Sequence, residues 1–275
     1  MQISCQLCKT KNYSVIFTKL IKKNINIEIV KCDSCDFIFN NTIIEDERLK
    51  KFIFYDYYKS KNVGHTIDKR FIKHFKKRAK NHINLIAKFY GPRFNGSVLD
   101  VGCGAGIFLN EMRKKGWDVS GIEPSNECYE YATKNYNLKI YRMLFEEFDK
   151  SEKFDLIYFS HIFDDLNDIV DVINKTKEYL TNNGKIFIEV PNYIRDKKFK
   201  LVKDGDLIEN KYYFSRSSIK NLLEKNGLII EKLISYEPIY LNTIVQYLVS
   251  PMGLLKRIFF FSNYKSHIRL IASNV

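Results

Sequence analysis

The chain has 275 residues, 45% of them apolar, and 45 Lys and Arg against 32 Asp and Glu, a net charge of +13. That apolar share supplies a sizeable core and excludes a disordered or fibrous chain. The opening "MQISCQLCKT" has no charged-then-apolar leader, and no run of about 18 apolar residues reads as a spanning helix, so the cytosol is the expected compartment. The positive charge alone would suit a nucleic acid. Lysine outnumbers arginine, however, and no basic-aromatic recognition motif accompanies it, so a small anionic substrate is preferred as partner.

Residues 1–45 carry two cysteine pairs, Cys5 and Cys8 in "CQLC" and Cys32 and Cys35 in "CDSC". A two-residue gap lets both thiolates of one turn face the same ion, and two such turns build a tetrahedral four-sulfur site. The alternating "INIEIVKC" reads as a strand entering the second turn, as in a zinc ribbon. Four sulfurs close the coordination shell, so structural Zn2+ is expected rather than a catalytic ion.

Residues 46–95 read as a helical linker and lid region. "ERLKKFIFYDYYKS" predicts a short helix followed by an aromatic cluster. A longer helix has an apolar stripe at Ile67, Phe71, Phe75, Ala79, Ile83, Ile86 and Tyr90, stopped by Gly91-Pro92. His65, His74 and His82 read as surface or boundary residues of this helix.

From residue 96 to 275 the pattern alternates. Strands are predicted at "VLDVG", "DVSGIEPS", "LKIYRM", "FDLIYFS" and "KIFIEVPN", with helices between them. Such alternation implies crossover units and a mostly parallel sheet covered on both faces. "LIIEKLISYE" and "HIRLIASNV" add a sixth and a seventh strand, giving a Rossmann-like α/β domain. The segment 238–265 between them is apolar and basic. It reads as packing against the body or a second subunit, or as a peripheral membrane contact.

Gly102, Gly104 and Gly106 form G-x-G-x-G directly after a buried strand, and Glu123 ends the next strand. Glycines permit positive φ and close approach of a ligand to the backbone, and a following helix offers free N–H groups. An acid at the end of the second strand can accept from both hydroxyls of a ribose. Dinucleotide sites place the third glycine one position later, where this chain has Ile107, so a sulfonium nucleoside fits better than NAD.

On these residues the chain resembles the class I S-adenosylmethionine (SAM) methyltransferases. "VLDVGCGAGIFL" and "GIEPS" are similar to their cofactor motifs. The four-cysteine front end and "KYYFSRSSIKNLLEKNGLIIEKL" are similar to a narrower bacterial group tied to surface-polysaccharide and sugar methylation. The resemblance implies that Gly102, Cys103, Gly104 and Gly106 line the methionine and ribose portion of SAM, with Asp100 beneath the turn near its ammonium group. It implies Glu123 on the ribose, Pro124 and Phe145 beside the adenine, Ser160 near the transferring methyl, and Tyr57 and Tyr58 over the amino-acid end. His161, Asp164, Asp165 and Tyr213 are the candidate bases, His161 foremost, while Asp164 and Asp165 read equally as a helix cap.

Two departures from that group stand out. Relatives often show His-x-x-Glu-His after the fourth strand, where this chain has "HIFDDL", and a Glu-His pair is replaced within "IENKYYFS". The implied activity is methyl transfer to a sugar or sugar-linked acceptor of surface glycan synthesis. The alternatives are an RNA methyltransferase with the ribbon as its RNA-binding lobe, and a SAM-binding scaffold without turnover.

Overall fold

The computed structural model describes residues 4–21, 25–42, 67–91, 94–193, 210–236 and 267–274. Tyr57, Tyr58, His65 and the segment 238–265 lie outside the described residues.

The first three strands are β1 (Tyr13–Ile21), β2 (Ile25–Cys32) and β3 (Ile38–Asn40). Helix α1 spans Lys69–Ile86, and the chain then alternates through β4 (Ser97–Val101), α2 (Ile107–Arg113), β5 (Asp118–Ile122), α3 (Asn126–Tyr136) and β6 (Lys139–Tyr141). The second half contains β7 (Phe154–Ser160), α4 (Ile169–Tyr179), β8 (Leu180–Pro191), β9 (Tyr212–Tyr213), α5 (Arg216–Lys225), β10 (Leu228–Tyr236) and β11 (His267–Asn274).

A seven-stranded sheet has the order β10-β11-β8-β7-β4-β5-β6. The pairs β4–β5, β4–β7, β5–β6 and β7–β8 are parallel, and β11 runs antiparallel to both β8 and β10. The predicted seven-stranded Rossmann-like architecture is therefore present, with strand order reversing around β4. Side-chain alternation along the strands feeds two cores. Leu99, Val101, Ile157, Phe159, Ile186 and Ile188 face one side, whereas Val98, Leu156, Tyr158 and Phe187 face the other.

The predicted stripe of α1 divides into two parts. Ala79, Ile83 and Ile86 enter the core beside Leu109 and Met112 of α2. Asp68 caps the helix by accepting from the Phe71 N–H at 2.7 Å. His82 does not lie at the surface as the sequence suggested. It is fully buried, with Tyr158 and Glu189 beside its two ring nitrogens. The cap of α4 is Asp168, whose carboxylate accepts from the Val170 and Asp171 N–H groups at 3.2 and 3.3 Å. Asp164 and Asp165 stop short of the helix, which replaces the expected capping role.

A second sheet, β1-β2-β3-β9, holds the cysteine turns. Its last strand comes from the late chain, with Ile38 opposite Tyr213 and Phe39 opposite Tyr212. Leu7, Phe37 and Phe39 join one core with Phe163, Leu166 and Phe214. The Gln6 Oε1 accepts from the Ile169 N–H at 2.9 Å and the Tyr212 hydroxyl at 3.1 Å. The lobe is thus joined to the larger sheet by a strand, a shared core and hydrogen bonds.

Candidate active site

The turn between β4 and α2 sits where the strand order reverses, the usual ligand position in an open parallel sheet. The N–H groups of Gly102 and Cys103 both donate to the Ile122 carbonyl, at 2.8 and 3.0 Å, fixing the turn to the end of β5. Gly104 and Gly106 have φ of +52° and +70°. A Cβ on Gly106 would lie 2.6 Å from Leu138 Cδ1 and 3.0 Å from Ala132 Cβ, so this glycine serves packing against α3. A Cβ on Gly104 would meet nothing within 4 Å. That glycine faces open space.

Glu123 accepts from the Gly104 N–H through one oxygen and from the Ser125 N–H through the other, both at 2.8 Å. Each oxygen keeps a further lone pair for a hydroxyl donor. Burial raises the Glu123 pKa, and these two N–H groups oppose the rise. Pro124 is half-buried beside it. Asp100 is 3% exposed, and burial followed by repulsion from Glu123 pushes its pKa well up. Among the described residues no hydrogen-bond donor meets its carboxylate.

Asp100 and the start of the glycine turn border a cavity of about 340 Å³, whereas Gly106, Glu123 and Pro124 are not among its lining residues. Asp100, Gly102, Cys103 and Gly104 line one side, and Ser160 and His161 line the end of β7. Ile67, just ahead of α1, and Phe71, Phe75 and Arg78 of the helix close it. A buried carboxylate that meets no donor among the described residues, and a glycine with free space above it, fit the amino-acid end of SAM, an ammonium group close to backbone.

Behind His161 lies a buried cluster centred on Glu189 of β8, whose side chain is fully buried. Its Oε1 is 3.0 Å from His161 Nε2 and 3.1 Å from Arg78 Nε. Its Oε2 is 2.8 Å from His82 Nε2, accepts from the Tyr236 hydroxyl at 2.6 Å, and pairs with Arg269. Despite burial, the histidine contacts and the Arg78 charge hold the Glu189 pKa well below the ordinary carboxylate value. An ionised carboxylate only accepts, so Nε2 of His161 carries the proton and Nδ1 keeps the lone pair. Burial, then Arg78, lower the His161 pKa, so the ring is neutral near pH 7. Burial likewise lowers the His82 pKa to about 4, and its Nδ1 lies 2.6 Å from the Tyr158 hydroxyl. His161 also has φ of +58°, an uncommon backbone state for a residue with a side chain, and its N–H donates to the Glu189 carbonyl at 2.9 Å.

The remaining candidates lie elsewhere. Asp164 is buried outside the cavity lining, accepting from the Asn210 amide at 3.3 Å, while its carbonyl accepts from the Lys211 and Tyr212 N–H groups. Asp165 is half-buried next to it. Tyr213 is 1% exposed, its ring set edge-on to Tyr193 with centroids 4.7 Å apart. Phe145 is in the core, edge-on to Phe159 with centroids 5.7 Å apart. Glu189, Arg78, His82, Arg269 and Tyr236 escaped the sequence reading. The available signal was a lone acid inside "KIFIEV" and a lone arginine inside "HIRLIA", both otherwise buried strands.

In the N-terminal lobe the Sγ atoms of Cys5, Cys8, Cys32 and Cys35 all lie within 4.8 Å of one another. The two turns share one backbone form, each with a positive-φ residue after its second cysteine: Lys9 at +61° and Asp36 at +59°. Four converging sulfurs fit a tetrahedral metal ion.

A family model described as a methyltransferase domain matches residues 69–233. A ubiquinone biosynthesis O-methyltransferase of Bartonella quintana is 27% identical over 165 residues, covering 54% of this chain and 67% of that protein. One from Pelagibacter ubique is 36% identical over 106 residues, covering 37% of this chain and 44% of that protein. The match thus spans less than half of the second relative's length. Among solved structures, an S-adenosylmethionine-dependent methyltransferase from Clostridium acetobutylicum superposes with a TM-score of 0.53 at 12% identity, over 71% of this chain and 90% of that one. The plantazolicin methyltransferase BpumL, in complex with SAH, does so with a TM-score of 0.51 at 17% identity, over 83% and 98%.

Proposed function

The chain belongs to the methyltransferase-domain family, and from that premise we propose that it transfers a methyl group from SAM to a hydroxyl of a sugar or sugar-linked acceptor, with His161 as the base. The observation that supports this reading most is the place of His161 on the cavity wall, with Glu189 Oε1 3.0 Å from its Nε2. When bound, SAM supplies a methyl group on a positively charged sulfur that leaves readily. Asp100 would hold the ammonium group, Gly104 would lie against the methionine portion, and Glu123 would take the ribose hydroxyls. The chief task of the chain is then to position the acceptor oxygen in line with the methyl.

His161 takes the hydroxyl proton at Nδ1 as the oxygen becomes nucleophilic. Its ring becomes a cation, which the ionised Glu189 3.0 Å away stabilises. The cluster is already built before the proton arrives, so little reorganisation is required. The loss of the Glu-His pattern in "HIFDDL" is then compatible with catalysis, because the orienting acid comes from β8 instead. The sugar reading draws on the four-cysteine lobe and on the surplus positive charge, which would steer a phosphate-bearing acceptor.

A second reading is a phenolic acceptor. It is favoured by the apolar wall of Ile67, Phe71 and Phe75 and by the named activity of the Bartonella and Pelagibacter relatives. Deuterated methyl SAM incubated with panels of nucleotide-linked sugars and of catechols, followed by mass spectrometry, separates the two. Label on a sugar that is lost in His161→Ala supports the proposal. Label on catechols alone replaces its acceptor, and label independent of His161 removes its base.

A further inference from the structure

We propose that the lysine face of α1 docks the protein onto an anionic lipid surface, a contact separate from the cofactor cavity. Helix α1 carries seven Lys and Arg and no Asp or Glu, over half of the net charge of +13. A helix turns about 100° per residue, so Lys69, Lys73, Lys76, Lys77 and Lys80 fall within an arc of about 100°. Lys76 is half-buried and the other four are exposed, and together with Ile72 they line one depression on the surface. None of the five lines the cavity, whose residues Phe71, Phe75 and Arg78 stand on the opposite side of the helix. A small anion entering the cavity therefore does not meet them.

The arrangement runs against the stability of the helix. Lys69 with Lys73, Lys73 with Lys77 and Lys76 with Lys80 are like charges one turn apart, and they repel. Elsewhere the same spacing joins opposite charges: Glu130 with Lys134 at 2.8 Å on α3, and Glu224 with Lys220 at 3.7 Å on α5. On α1 no acid is interleaved, and among the described residues none of the five lysine side chains has an ion pair or hydrogen bond. Asp68, the nearest acid in sequence, is committed to the helix cap. A local rule broken with no compensating contact inside the fold is the mark of a partner outside it. The chemistry of that partner follows from what the face lacks. The depression presents no aromatic ring on which a base could stack, and its single apolar side chain, Ile72, is too little for the anchored core of a protein interface. It offers lysine ammonium groups, point charges suited to diffuse negative charge rather than to bidentate recognition. A lipid surface with anionic headgroups supplies such charge.

The test is cosedimentation of the full chain with phosphatidylcholine vesicles containing phosphatidylglycerol, and with vesicles of phosphatidylcholine alone. Each lysine near such a surface contributes about fivefold in affinity, so replacing Lys73, Lys77 and Lys80 together by Gln should weaken binding to the anionic vesicles by about 100-fold. Replacing Lys115, Lys225 and Lys232 by Gln removes the same charge from exposed positions outside α1. That control should lose less than about fivefold, because charges beyond a Debye length are screened. Melting temperatures check that both variants are folded. Should the α1 variant fail to fold, Lys77→Gln alone reads the same quantity, with a loss of about fivefold. Equal losses in the two triple variants overturn the proposal, since adsorption would then follow overall charge, and so does a wild type with no preference for the anionic vesicles. Tighter retention on a single-stranded RNA oligonucleotide, abolished by the same α1 substitutions, overturns it in favour of a nucleic acid. None of these readouts uses S-adenosylhomocysteine (SAH), so the outcome is independent of the SAM reading above.

Discussion

Gly104 and Gly106 are two residues apart with similar backbone angles, yet their Ala variants should fail in opposite ways. Left-handed φ costs a side-chain-bearing residue about 1–2 kcal/mol, and both variants pay it. At Gly106 the new methyl also meets Ala132 Cβ at 3.0 Å, which has no rotamer to escape with, and Leu138 Cδ1 at 2.6 Å, which does. Such overpacking adds about 1–3 kcal/mol, so Gly106→Ala should lose about 2–5 kcal/mol. At Gly104 nothing lies within 4 Å, and the fold loses only the backbone term. Its methyl enters the space assigned to the methionine portion of the cofactor. Chemical denaturation should therefore rank Gly106→Ala as the less stable variant. Calorimetry with SAH should show Gly104→Ala losing affinity by about tenfold or more, the equivalent of about 1.4 kcal/mol. Gly104→Ala binding SAH like the wild type would refute the placement of the ligand above this glycine.

Other outcomes follow from the buried charges and the cysteine lobe. His82 has a folded pKa of about 4 against an unfolded value of 6.5, so across that window the unfolded chain takes up a proton that the folded chain does not. Stability should thus fall as pH drops from about 6.5 to about 4, and His82→Gln should flatten that fall in urea titrations; an unchanged slope would contradict the assignment. Glu189→Gln removes the anion that compensates Arg78 and Arg269, with an expected loss of about 3–5 kcal/mol by denaturant titration, whereas a loss below 1 kcal/mol would show the cluster to be weakly coupled. The lobe should hold one zinc per chain by elemental analysis, and Cys35→Ser should lower both zinc content and melting temperature, because Leu7, Phe37 and Phe39 share the main core. Metal-free protein with an undiminished melting temperature would contradict a structural role.

The sheet was legible because apolar runs such as "VLDVG" and "FDLIYFS" are buried on both faces and alternate with helical patterns. The cysteine pairs were legible because their spacing fixes their geometry. The Glu189 cluster was not, since it joins α1, β8, β10 and β11 across more than a hundred residues of chain, and each member alone resembles an ordinary polar interruption. His82 read as a surface residue for the same reason: its partners, Glu189 and Tyr158, come from strands far along the chain. The capping of α4 by Asp168 rather than Asp164 or Asp165 turned on where the chain enters the helix, which three nearby aspartates leave open.

The central claim is that the cavity beside Gly104 and Asp100 holds the methyl donor. Calorimetric titration of the zinc-replete protein with SAH tests it most directly, with Glu123→Ala alongside. One site of micromolar affinity that largely disappears in Glu123→Ala is the predicted result. A folded wild-type protein that takes up no SAH would contradict the account.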